Sequence, residues 1–93
     1  MLFLIVQRYT HGAGPIYERA AAKGRMLPDG VRHLGSWIVD DERLDTCYEV
    51  AEAADRSLID EWISHWDDIS DFEVMPVLTS AQAAERAGIS WTP

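Results

Sequence analysis

Leu2-Phe3-Leu4-Ile5-Val6-Gln7-Arg8-Tyr9 is the segment on which the architecture turns. Its branched and aromatic side chains favour an extended chain. Alternation puts Leu2, Leu4 and Val6 on one face and Phe3 and Ile5 on the other, so both faces are apolar. A strand of that kind belongs in the middle of a sheet, covered on each side. The run is too short to cross a bilayer, and it lacks the basic flank and small-residue cleavage site of a secretion signal.

Working outward, His11-Gly12-Ala13-Gly14 reads as a loop. Pro15 suits the first turn of a helix, Ile16 to Lys23 continues it, and Gly24 can end it. Leu27-Pro28-Asp29-Gly30 has the composition of a turn, with Pro second and Gly fourth. Val31 to Val39 and Thr46 to Ala51 read as strands joined through the charged segment Asp40-Asp41-Glu42-Arg43. Asp55 or Ser57 can cap the next helix. There Leu58, Ile59, Trp62, Ile63, Trp66 and Ile69 recur at three- and four-residue spacing along one face. Phe72 to Leu78 is a fourth strand, and Pro76 predicts an edge or a bulge because it cannot donate to a ladder. Thr79 and Gln82 form a capping box opening a short helix that ends near Gly88. A tail from Ile89 to Pro93 carries Trp91.

The order strand, helix, strand, strand, helix, strand, helix predicts one α+β domain over residues 1–93: a ferredoxin-like βαββαβ fold with a C-terminal helix and a four-stranded antiparallel sheet. Helices cover one face of such a sheet and leave the other open. The first strand and Trp37 make that second face apolar, which predicts a partner, most simply a twofold copy of the chain.

The chain has 93 residues, 47% hydrophobic and 26% charged, with a formal charge of −8 from 16 acids and 8 bases. Its bases are scattered and outnumbered, which argues against nucleic acid and against an anionic membrane surface as partners. A single cysteine, Cys47, allows neither a disulfide within the chain nor a cysteine-built zinc site, and a reducing cytoplasm is the natural setting. His11, His33 and His65 lack metal-ligand spacing, so no metal and no other cofactor is expected.

Several segments together resemble a known family: Arg8-Tyr9, Gly24-Arg25-Met26-Leu27-Pro28-Asp29-Gly30, Ser36-Trp37, Cys47-Tyr48-Glu49, Trp62, Trp66-Asp67-Asp68, Asp71-Phe72-Glu73 and Pro76-Val77-Leu78-Thr79-Ser80. From about Met1 to Ala84 the chain is similar to a family of small bacterial proteins, without an assigned activity, in the dimeric α/β-barrel superfamily. The resemblance implies that two ferredoxin-like subunits set their sheets together. Relatives elsewhere in the superfamily include cofactor-independent monooxygenases, haem-degrading enzymes and lactone isomerases. Family members often carry Glu where this chain has Gln7, and Gln where it has Glu49.

Candidate site residues follow from alternation. Gln7 lies two beyond Ile5, Cys47 and Glu49 share a face of the third strand, and Glu73 opens the fourth. With aligned registers Gln7, Glu49 and Glu73 converge, with Trp37 or Ser36 beside them, while Tyr48 and Val50 point at the helices. Carboxylates gathered in a buried place have raised pKa values and can serve as acid or base. His33, near Trp37, is the best single cavity base, which makes His33 and Glu49 the catalytic candidates. The ligand-cavity set is Gln7, His33, Trp37, Cys47, Glu49 and Glu73. Against this stand plainer readings: solvated carboxylates at a dimer rim, an interface histidine, a buried inert thiol at Cys47, and core packing for Trp62 and Trp66. Asp67, Asp68, Asp71 and Glu73 read as a solvated acidic cluster.

Three functions stay open on this reading. They are a homodimer binding a small organic molecule beside the sheet, a cofactor-independent monooxygenase or isomerase, and a structural or regulatory interaction module with a filled core.

Overall fold

The computed structural model describes residues 1–90; Trp91 and the end of the tail lie outside the described residues. The elements run β1 (Leu2–Tyr9), α1 (Ala13–Lys23), β2 (Arg32–Ile38), β3 (Thr46–Glu52), α2 (Arg56–Ile63), β4 (Ser70–Val77) and α3 (Ser80–Arg86). The four strands form one sheet in the order β2-β3-β1-β4, with every pair antiparallel. This is the ferredoxin-like α+β topology. β1 takes a central place, as its double apolarity predicts. β4 is an edge strand, which accommodates Pro76.

Local chemistry sets the element ends. Gly24 closes α1 at φ 67, a left-handed backbone that glycine adopts without a steric penalty. The turn before β2 is one residue later than its composition suggests. Val31 N–H donates to Pro28 O at 3.1 Å, so Gly30 takes the third position at φ 89, where glycine is needed. The Asp55 side chain accepts from Ser57 N–H to cap α2, and Thr79 and Gln82 form their capping box on α3. α2 stops at Ile63, and Trp66 and Ile69 reach the core from turns beyond it.

The core lies between the sheet and the two helices. Phe3, Ile5 and Tyr9 of β1 and Ala51 of β3 meet Ile16 of α1, Ile59 and Trp62 of α2, and Trp66 and Ile69 after it. A second tie joins the helical layer. Arg19 on α1 donates twice to the Asp68 carboxylate, at 2.7 and 2.8 Å, donates to His65 O at 2.9 Å, and lies 5.7 Å from the Trp66 ring. The guanidinium pulls the Asp68 carboxyl down to about 2.

Among the described residues no helix buries side chains against the opposite sheet face. Leu2, Leu4 and Val50 are half-buried there, while Tyr48, Met75 and Trp37 are exposed, Trp37 at 62%. The second cover expected for β1 is therefore not supplied by the described residues.

Candidate functional site

Antiparallel partners share a face, so the registers decide which side chains meet. Ile5 pairs with Glu49 and Gln7 with Cys47, which puts Gln7, Cys47 and Glu49 together under the helices. Two expectations fail here. Tyr48 and Val50 face away from the helices, not toward them. Glu73 pairs with Val6 while Phe72 pairs with Gln7, so Glu73 stands on the open face, 3.5 Å from Arg8, and not in the cavity. Alternation within a strand does not set its offset against a neighbour, and an offset of one residue exchanges the faces.

Trp37 is the third correction. In a regular strand residues 33 and 37 share a face. β2 is irregular between His33 and Gly35: His33 pairs with Ala51 and Gly35 with Val50, leaving Leu34 as an extra residue. Such a bulge inverts the alternation beyond it. His33, Ser36 and Ile38 then face the helices, and Trp37 goes to the open face opposite Tyr48. Its ring lies over Gly35, where an added Cβ would come within 2.7 Å of the indole.

Between sheet and helices is a cavity of about 270 Å³. The sheet contributes Gln7, Tyr9, Ser36, Ile38, Cys47, Glu49 and Phe72; α1 contributes Ile16, Tyr17 and Ala20; Trp62, Ile63 and Trp66 come from α2 and the turns after it. Gly24 and Arg25 border it from the loop after α1. That loop is pinned in place. Both indole N–H groups, Trp62 at 2.9 Å and Trp66 at 3.1 Å, donate to Arg25 O, and the next residue, Met26, takes a left-handed φ of 58. Trp62 and Trp66 thus combine core packing with a hydrogen bond, as a buried indole requires.

The polar end of the cavity is Glu49. Its side chain is 10% exposed, and among the described residues no hydrogen bond reaches its carboxyl. Burial pushes that carboxyl up to about 7, against a downward pull from the Arg25 guanidinium. His33 Nε2 lies 3.6 Å from Glu49 Oε1, is buried, and has no hydrogen-bond partner. The imidazole meets Trp62 edge-on, with centroids 6.1 Å apart. Burial, with Arg25 adding to it, lowers its pKa. A carboxyl shifted up beside an imidazole shifted down favours the uncharged pair, two neutral groups able to exchange one proton. A carboxyl titrating near 7 suits proton transfer at neutral pH.

The remaining groups are quieter. Gln7 Nε2 donates to Ser70 Oγ at 2.9 Å. Burial pushes the Cys47 thiol up to about 11 and raises the neighbouring Tyr9 phenol, so neither is an activated nucleophile. Among the described residues no three His, Cys, Asp or Glu side chains converge as metal ligands. Of the sequence candidates, Gln7, Cys47 and Glu49 line the cavity, His33 stands directly behind Glu49, and Trp37 and Glu73 are elsewhere. Arg25 was not anticipated. Its one signal was a place in the Gly24–Gly30 segment, whose path no periodicity describes.

A two-layer α+β domain with a cavity between its layers, a buried carboxyl in that cavity and no helix long and apolar enough to cross a membrane is the class these features define. Over residues 1–88 the chain matches the family model described as a domain of unknown function, DUF3303, and it belongs to that family. No curated protein and no solved structure matches it.

Proposed function

We propose that this protein is a homodimer that binds a small organic molecule in the cavity between its sheet and helices. The observation that carries the ligand is Glu49: a buried carboxyl without a protein hydrogen bond, opening on an otherwise largely apolar cavity. Leaving such a group without a partner is unfavourable, and a bound polar atom removes that penalty. The volume is just under the range for drug-sized ligands, which suits a compact molecule. An interaction module with a filled core fits this cavity less well.

A second copy of the chain is the natural cover for the open sheet face. Its apolar residues are contiguous across β2, β3, β1 and β4. α3 buries none of its residues and is free to reach across. A cytoplasmic setting agrees with the one buried thiol.

The raised pKa of Glu49 beside His33 favours a second reading, a cofactor-independent enzyme of the isomerase kind, in which Glu49 moves a proton and His33 supports it. Native mass spectrometry on freshly purified protein tests the proposal. Two chains plus a small unexplained mass is the expected result. A bare dimer after gentle transfer removes the ligand, and a bare monomer removes the dimer.

A further inference from the structure

The cavity has an unpaired cation at its rim. In a chain where acids outnumber bases 16 to 8, arginines find carboxylates easily. Arg8, Arg19, Arg32, Arg43 and Arg56 each have one within 4.0 Å. Among the described residues Arg25 has none, although it borders the cavity and is near enough to bias Glu49, His33 and Cys47. Its backbone carbonyl is anchored by the indoles of Trp62 and Trp66, which fixes the point at the rim from which the side chain starts. Those five serve as surface staples; of the two arginines without a carboxylate among the described residues, Arg25 and Arg86, Arg25 is the one that borders this cavity.

Resting on the reading of the cavity as a ligand site, we propose that its ligand is a small aromatic monocarboxylate with a hydroxyl or carbonyl at the far end, its carboxylate paired with Arg25 and its far polar atom hydrogen-bonded to Glu49. Three features select that class. Among the described residues Arg25 is the only cation bordering the cavity, and a guanidinium binds a carboxylate through two parallel N–H donors. The walls are largely apolar, with Ile16, Ile38, Phe72 and the two indoles among them. At the inner end the buried Glu49–His33 pair accepts or donates a hydrogen bond and offers no cation to a second carboxylate. The ligand is thus charged at one end only.

The test is a titration of ¹⁵N-labelled protein with 4-hydroxybenzoate and, separately, with 4-hydroxybenzamide, followed on the indole N–H signals of Trp62 and Trp66. The two probes differ in the charge at one end. The acid is expected to bind at least tenfold more tightly than the amide in the native protein, and Arg25→Gln is expected to erase that preference. The bond to the indoles uses the Arg25 carbonyl, so the variant keeps it, and the spectrum reports its fold directly. Equal affinity for the two probes, or an undiminished preference in Arg25→Gln, overturns the anion proposal and leaves the cavity reading standing. Failure of both probes to move the indole signals at their solubility limit overturns both.

Discussion

Glu49 concentrates the chemistry of this molecule, and its titration has a defined sign. In the fold its carboxyl is pushed up to about 7 from an ordinary 4.5, so the folded chain keeps a proton that the unfolded chain has lost in between. Stability from this group is fully present below 4.5 and drains away as pH rises through about 7. Glu49→Gln, neutral throughout, should therefore gain on the native protein by on the order of 3 kcal/mol between about pH 4 and pH 9. Urea unfolding at the two pH values measures this, and a difference that stays constant with pH would remove Glu49 from the account. His33 runs the other way. Its pKa is lowered from 6.5, so its contribution is present above that value and is lost as pH falls. Replacing it with Gln should flatten the acid side of the stability profile. In the core, Ile59 is fully buried, and Ile59→Ala should cost about 2–5 kcal/mol of unfolding free energy.

Among the elements, the join between α2 and the loop after α1 is the one most open to a direct test. Trp62→Phe with Trp66→Phe removes both N–H donors while keeping most of the aromatic bulk. Each lost hydrogen bond costs about 1 kcal/mol. The expected result is a stability loss of about 1–3 kcal/mol with faster amide exchange at Arg25 and Met26; unchanged exchange there would mean that the loop is held by other contacts. The same element shows how far the sequence could be read. The three- and four-residue spacing of Ile59, Trp62 and Trp66 describes a buried helix face, and the structure buries all three. Alternation in β1 describes a central strand. Gly24 marks the end of α1, Thr79 the start of α3, and Pro76 the edge position of β4. Those are local signals. The site was legible only where alternation within one strand was enough, as for Gln7, Cys47 and Glu49. One extra residue at Leu34 turned Trp37 away from His33, and the β1–β4 register turned Glu73 away from Gln7. Bulges and registers are settled by pairing across the sheet, and the path of the Arg25 loop by two indoles roughly 40 residues later in the chain.

At the scale of the whole molecule, the chain is a slab of 46 × 32 × 18 Å, two layers thick. Its radius of gyration is 15.0 Å, where a compact chain of this length has about 12 Å. The excess fits a sheet with one uncovered face and a terminal helix that buries nothing. Trp37→Glu tests the twofold cover, since Trp37 is largely exposed within one chain and its loss leaves the monomer intact. On the proposed pairing, sedimentation velocity should show a dimer for the native chain and a monomer for the variant; a variant that stays dimeric would place the contact elsewhere. The central position of β1 also has a consequence in time. Its partners are β3, which ends at Glu52, and β4, which ends at Val77, so its pairing edges wait for nearly 70 residues of later chain. At ribosomal rates of about 5–20 residues per second that is roughly 3–14 s. For the first 43 of those residues, until β3 is complete at Glu52, the most apolar strand of the protein has neither neighbour made, and the nascent chain is then at its most exposed to aggregation and to capture by chaperones.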